Sequence, residues 1–158
     1  MQRFNDVEAL KIARDIELRG ADIYARALKI AKKPDVRDML SKLHADELEH
    51  AATFERLKDE ALDGEREDYS AESAMFLSAF AAEIAFPGGL MKLACDRGMD
   101  DAHVVLQEAI QAEKNSILFY SEVIAASHSD KLKKYLGDIV DEERGHLKGL
   151  MTQLSELG

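Results

Sequence analysis

Cysteine is almost absent from this chain: Cys95 is the only one in 158 residues. A single thiol excludes a disulfide framework, a Cys-x-x-Cys redox pair and a four-cysteine metal site. Proline is nearly as scarce, with only Pro34 and Pro87. Apolar residues recur at helical spacing between these breaks, which predicts an all-α protein. No long hydrophobic run is present. The most apolar stretch, Ala74 to Phe86, is interrupted by Glu83 and is too short to span a bilayer. The N-terminal Met1-Gln2-Arg3-Phe4-Asn5-Asp6 lacks the basic-then-apolar pattern of a signal peptide, so a soluble, cytoplasmic protein is expected. Positive charge is also in deficit: 21 Lys and Arg against 31 Asp and Glu give a net charge of −10, which argues against nucleic acid or an anionic membrane as partner.

What remains is a helical chain with clear punctuation. Its length suits a single domain, residues 1–158, with one well-formed core. Asn5 and Glu8 have capping-box spacing, and the first helix is predicted over 5–31. Lys32-Lys33-Pro34-Asp35 ends it and starts a second over 35–62, which stops before Gly64. A third is predicted over 101–126 and a fourth over 130–156, joined by the tight link Ser127-His128-Ser129-Asp130. Between the two hairpins lies a crossover, 63–100. It holds a short helix capped by Ser70 and ended by Pro87-Gly88-Gly89. One or two further turns at Leu90 to Cys95 would stop at Arg97-Gly98, with Asp100 or Asp101 capping the next helix. A link this long lets the chain cross the bundle, so that the second and third long helices run parallel. The first helix carries two apolar stripes. One is Val7, Leu10, Ala13, Ala21, Tyr24 and Leu28; the other is Ile12, Ile16, Ile23 and Ile30, to be covered by the crossover or by a second subunit.

The chemistry sits in a repeat. Asp46-Glu47-Leu48-Glu49-His50 and Glu142-Glu143-Arg144-Gly145-His146 each contain Glu-x-x-His, which on a helix puts a carboxylate and an imidazole on one face, one turn apart. Thirty residues before Glu47 stands Glu17, and thirty before Glu143 stands Glu113, so the halves superpose with an offset of 96. The same offset places Tyr24 on Tyr120, Leu10 on Leu106 and Ala13 on Ala109. One Glu-x-x-His in so acidic a chain is surface chance. Two at matched positions, each with a matched Glu on an otherwise apolar face, describe a site for two metal ions inside a four-helix bundle.

Four carboxylates and two imidazoles suit Fe(II), Mn(II) or Zn(II). Glu47 and Glu143 are the candidate bridging ligands and Glu17 and Glu113 the terminal ones, with His50 and His146 completing the set. Two divalent ions would cancel the four carboxylate charges; without them those groups must take up protons or destabilise the fold. Asp46 and Glu142 are candidate acceptors for a His ring N–H on the facing helix. Tyr24 and Tyr120 are placed to donate to a ligand carboxylate. His44, one turn before Glu47, could border the site but reads more readily as a partly exposed histidine; His103, His128 and Cys95 are assigned no role, Cys95 being read as a small buried side chain.

Glu17 and Tyr24, Asp46 to His50, Glu113 and Tyr120, and Glu142 to His146 together resemble the rubrerythrin family of the ferritin-like superfamily, over nearly the whole chain. The resemblance implies a ferritin-like four-helix bundle with two iron ions per site, often a homodimer, that reduces hydrogen peroxide. Two departures stand out. Rubrerythrins proper carry a four-cysteine rubredoxin domain, which these residues lack, so a separate electron donor such as a rubredoxin is expected. They also carry a further Glu one turn after the third-helix ligand, where this chain has Ser116. That feature makes the site resemble the ferroxidase centre of bacterioferritin as well, and keeps open a ferritin-like ferroxidase, an iron storage or carrier protein reacting with O2, or a site whose metals only hold the helices. No methionine falls where a bacterioferritin haem ligand would, so no haem is expected.

Overall fold

The computed structural model describes residues 3–64, 66–85 and 102–156, which form five helices: α1 Asp6–Ile30, α2 Pro34–Asp63, α3 Ala71–Ala85, α4 Ala102–Ala126 and α5 Asp130–Glu156. The bounds differ from the predicted ones by a residue at several ends. Asn5 is the cap of α1 and not its first residue: its side-chain oxygen accepts from the Val7 N–H at 3.0 Å. Pro34 is itself the first residue of α2, where its missing N–H costs no helical hydrogen bond. Ser70 caps α3 by accepting from Ser73 N, and Ser129 caps α5 by accepting from Leu132 N, each at 3.2 Å. The turns predicted at Leu90 to Cys95, the stops at Pro87-Gly88-Gly89 and Arg97-Gly98, the cap at Asp100 or Asp101 and the burial of Cys95 lie outside the described residues.

The two hairpins, α1–α2 and α4–α5, pack with α1 against α4 and α2 facing α5. The end of α1 and the start of α2 share one end of the bundle with the start of α4 and the end of α5, as Ala31, Val36, Ala102 and Gln153 line a single hollow there. At the other end Asp6 accepts hydrogen bonds from Tyr69 and from Ser127 (2.7 Å), tying α1, the crossover and the α4–α5 link together. Helices α2 and α4 therefore run parallel, as the long crossover requires. No helix of the described residues is long and apolar enough to cross a membrane.

Burial follows the predicted stripes. Val7, Leu10, Ala13, Ala21 and Tyr24 are buried, and so are Ile16 and Ile23 of the second stripe. Helix α3 packs on α4 and α1, with Leu77 and Phe80 in the same cluster as Ile12 and Ile16, so the crossover covers that part of the stripe. The core divides in two: Phe54, Phe119, Tyr120, Leu132 and Leu136 belong to one cluster, Ile23, Leu40, Leu43, Leu106 and Leu150 to the other. The charged layer described below belongs to neither.

Phe54 is the keystone of the first cluster. It has no exposed surface, and its ring lies 5.5 Å from that of Tyr120 and 5.7 Å from that of Tyr135. Phe54→Ala is expected to cost about 3–5 kcal/mol, a cavity effect that urea denaturation reads as a lower midpoint at unchanged slope.

Candidate metal centre

Glu17, Glu47, Glu113 and Glu143 are each at most 3% exposed, and His50 is 4% exposed, so five of the six predicted ligands are deeply buried and His146 is nearly so. Helical spacing brings each His onto the same face as the Glu one turn before it. The hairpin packing then adds Glu17 and Glu113 from the partner helices. Two overlapping groups result, Glu17–Glu47–His50–Glu143 and Glu47–Glu113–Glu143–His146. In each, one ligand atom per residue lies within 4.8 Å of the others. Glu47 and Glu143 belong to both groups, which is the placement bridging ligands need; the other four belong to one apiece.

The imidazoles fix the inner and outer sides of the site. Nδ1 of His50 is 3.4 Å from Glu143 and 3.6 Å from Glu17, while Nδ1 of His146 is 3.3 Å from Glu143, 3.5 Å from Glu113 and 3.6 Å from Glu47. Both rings turn Nε2 outward, and the outer contacts cross between hairpins. His50 Nε2 is 2.5 Å from Glu142 of α5, and His146 Nε2 is 3.1 Å from Asp46 of α2. An Nε2–H that donates to these carboxylates leaves Nδ1 as the free lone pair pointing inward. The tyrosines cross in the same way. Tyr24 donates to Glu113, and Tyr120 donates to Glu17 at 2.7 Å. Burial, together with the neighbouring carboxylates, holds both phenols well above their usual range, so they stay protonated donors.

The donor set fits divalent metal. Glu17 Oε2, Glu47 Oε1, His50 Nδ1, Glu113 Oε2 and Glu143 Oε1 are buried with no hydrogen-bond partner, an arrangement a protein tolerates where an ion satisfies them. Protons take that part in the metal-free protein. Burial would lower the histidines, but Glu143 and Glu17 outweigh it and raise His50 to about 11; Glu113 and Glu143 raise His146 to about 10. Burial, then the neighbouring Glu143, pushes Glu113 up to about 8. His44 is half-buried outside both groups, and His103 and His128 are exposed.

Sequence reasoning missed Gly20. A Cβ there would lie 3.2 Å from Glu47 Oε2, a tight contact that the carboxylate would have to relieve by shifting a few tenths of an ångström. The repeat carried the signal, since Gly20 and Ser116 are related by the same offset of 96 and each follows its Glu by three residues.

Residues 8–154 match the sequence profile of the rubrerythrin family. The chain belongs to that family. The fold agrees with a crystal structure from Thermotoga maritima described as a ferritin-like diiron-carboxylate protein, at a TM-score of 0.74 and 20% identity over 100% of this chain and 99% of that one. No match is found among curated proteins. This rubrerythrin-family chain thus has a ferritin-like fold around a buried carboxylate and histidine cluster able to hold metal.

Its pH dependence follows in sign. Glu113, His50 and His146 all have folded values above the unfolded ones, so each stabilises the metal-free fold below its unfolded value and loses that contribution as pH rises through the folded one. Metal-free protein is expected to lose thermal stability as pH rises from 5 towards 8 through Glu113, whose ordinary value is 4.5 and folded value about 8, and further towards 10 through the histidines. Metal-loaded protein should show the opposite trend on the acid side, because protons compete with the ions. Metal uptake at pH 7 should release protons, and calorimetry in buffers of different ionisation enthalpy measures them. Equal melting profiles with and without metal across this range would overturn the assignment.

Proposed function

We propose that the chain is a non-haem di-iron oxidoreductase that reduces hydrogen peroxide with electrons from a separate donor such as a rubredoxin. The observation that carries this reading is the pair of overlapping four-ligand groups sharing Glu47 and Glu143. That donor set of carboxylates and imidazoles suits iron or manganese and not a thiolate metal. Glu17 and His50 would hold one ion, Glu113 and His146 the other, and Glu47 and Glu143 both. Two ferrous ions side by side supply together the two electrons that, with two protons, convert one H2O2 to two water molecules. The protein's own part is to hold and orient. Tyr24 and Tyr120 hold the terminal carboxylates, Asp46 and Glu142 hold the imidazoles, and burial keeps bulk water away from the layer.

A specific observation keeps a second reading in play. Ser116 is buried, and its hydroxyl donates back to Ala112 O at 3.0 Å, so α4 brings no further carboxylate to the site. The resulting near-symmetric six-residue set also suits a ferroxidase that oxidises Fe(II) with O2 and passes it on. Stopped-flow mixing of protein loaded anaerobically with Fe(II) against H2O2 and against O2 separates the two, by following ferric absorbance. Oxidation by peroxide should be faster by about two orders of magnitude or more, or the ferroxidase reading replaces it. Glu143→Gln should abolish metal uptake and peroxide consumption. Retained peroxide consumption in that variant would sink the proposed site.

A further inference from the structure

The metal layer has two approaches, and they differ in kind. Between α2 and α5 a groove of about 660 Å³ is lined by Lys42, Asp46, Glu49, Asp138 and Glu142, and it meets the layer at His50 and His146. A molecule arriving there faces the outer edges of two imidazoles whose Nε2 atoms are already engaged. Between α1 and α4 lies a far smaller cavity of about 40 Å³. Asp15, Arg19 and Asn115 line its surface side, and Glu47, Glu113 and Tyr24 its inner side, so it reaches the carboxylates with no imidazole in between.

Two positions keep this cavity open. Gly20 and Ser116 both line it, and they are equivalents under the internal repeat. The Ser116 hydroxyl is turned back onto its own helix, so it adds neither a ligand nor much bulk. Ala109 and Ala112 widen the α4 wall, whereas the repeat partner of Ala112 on α1 is Ile16. Small residues alone would mean little. Here the inner wall is also formed by the buried carboxylates of Glu47, whose Oε2 faces Gly20, and Glu113, and each of the two has one oxygen without a hydrogen-bond partner. The remaining lining is mainly Ile12, Ile16 and Ile23, which disfavours an anion or a hydrated cation and suits a small neutral molecule. The volume has room for about two heavy atoms.

We propose that the Gly20–Ser116 cavity is the access route and seat of the neutral oxidant, with Ser116 setting the size limit. This rests on the di-iron reading given above. Ser116 is a specificity residue in this account, since it acts through the space it leaves.

Nitric oxide, a neutral two-atom molecule that binds Fe(II), is the probe. Its association rate is measured by stopped flow on anaerobically Fe(II)-loaded protein, with iron content and the Co(II) absorption spectrum recorded in parallel. Ser116→Leu fills the cavity directly, and Ala112→Ile fills it from the preceding turn with the residue that α1 carries. Both should bind nitric oxide about tenfold more slowly or worse at full metal content and unchanged Co(II) spectrum, while Ser116→Ala stays within about twofold of the parent. On the opposite face a Cβ added to Gly145 would meet nothing within 4 Å, so Gly145→Leu narrows the groove as a control and should leave the rate unchanged. Parental rates in both filled variants, or slowing by Gly145→Leu instead, would overturn the route while leaving the di-iron site intact. A parent protein that takes up no iron would overturn the di-iron reading itself, and the route with it.

Discussion

Four carboxylates and two imidazoles share one buried layer, and the rest of the fold is arranged around the cost of placing them there. Each ion taken out of water costs several kcal/mol after relaxation, and that cost is recovered only where opposite charge sits close by. Among the described residues the close cationic partners seen at Glu17, Glu47, Glu113 and Glu143 are the two imidazoles. Compensation must therefore come from protons or from divalent cations. The raised values of His50, His146 and Glu113 are the proton answer, and the unpartnered oxygens show where the cations would go. Apolar clusters on either side provide the favourable burial against which this penalty is set.

The site also makes each hairpin depend on the other. Tyr24 of the first hairpin donates to Glu113 of the second, and Tyr120 of the second donates to Glu17 of the first. The contacts of Asp46 with His146 and of Glu142 with His50 cross likewise. Neither hairpin alone can satisfy its own ligands. The repeat is thus more than a duplicated sequence pattern: it places two incomplete half-sites so that each supplies the other's supports. The long crossover is what allows this, because with α2 parallel to α4 the second Glu-x-x-His faces the first between α2 and α5.

How much of this was legible beforehand depended on distance along the chain. The six ligand candidates could be read from the sequence because Glu-x-x-His is a local helical relation and the offset of 96 repeats it. The caps at Asn5 and Ser70 were legible for the same reason, although Asn5 stands outside its helix and Pro34 inside. Contacts decided by packing between hairpins were not. Nothing local to Gly20 shows that Glu47 would pack against it, and nothing local to Asp6 shows that Tyr69 and Ser127 would converge on it. The second stripe on α1 implied a cover without choosing it. Only the position of α3, with Leu77 and Phe80 beside Ile12 and Ile16, shows the crossover supplying part of that cover.

Charge balance links the inner ligands to the outer carboxylates. Four carboxylate charges would balance two divalent ions, and any positive charge beyond that would go uncompensated in a layer of low dielectric. Two further carboxylates stand just outside, Asp46 and Glu142, each joined to a ligand imidazole through Nε2. An imidazole that donates to a carboxylate becomes a stronger ligand, so negative charge on the outer groups would be felt at a bound ion. The two outer positions are not equal. Asp46 also binds Lys42 at 2.7 Å, and although burial opposes it, Lys42 and His146 together hold its carboxyl below the usual range. Lys42 thus offsets part of the negative charge behind His146, and the field of Glu142 acts on the same ammonium. The six-residue ligand set is nearly symmetric, but the contacts behind its two histidines are not: Asp46 is shared between His146 and Lys42, whereas Glu142 meets His50.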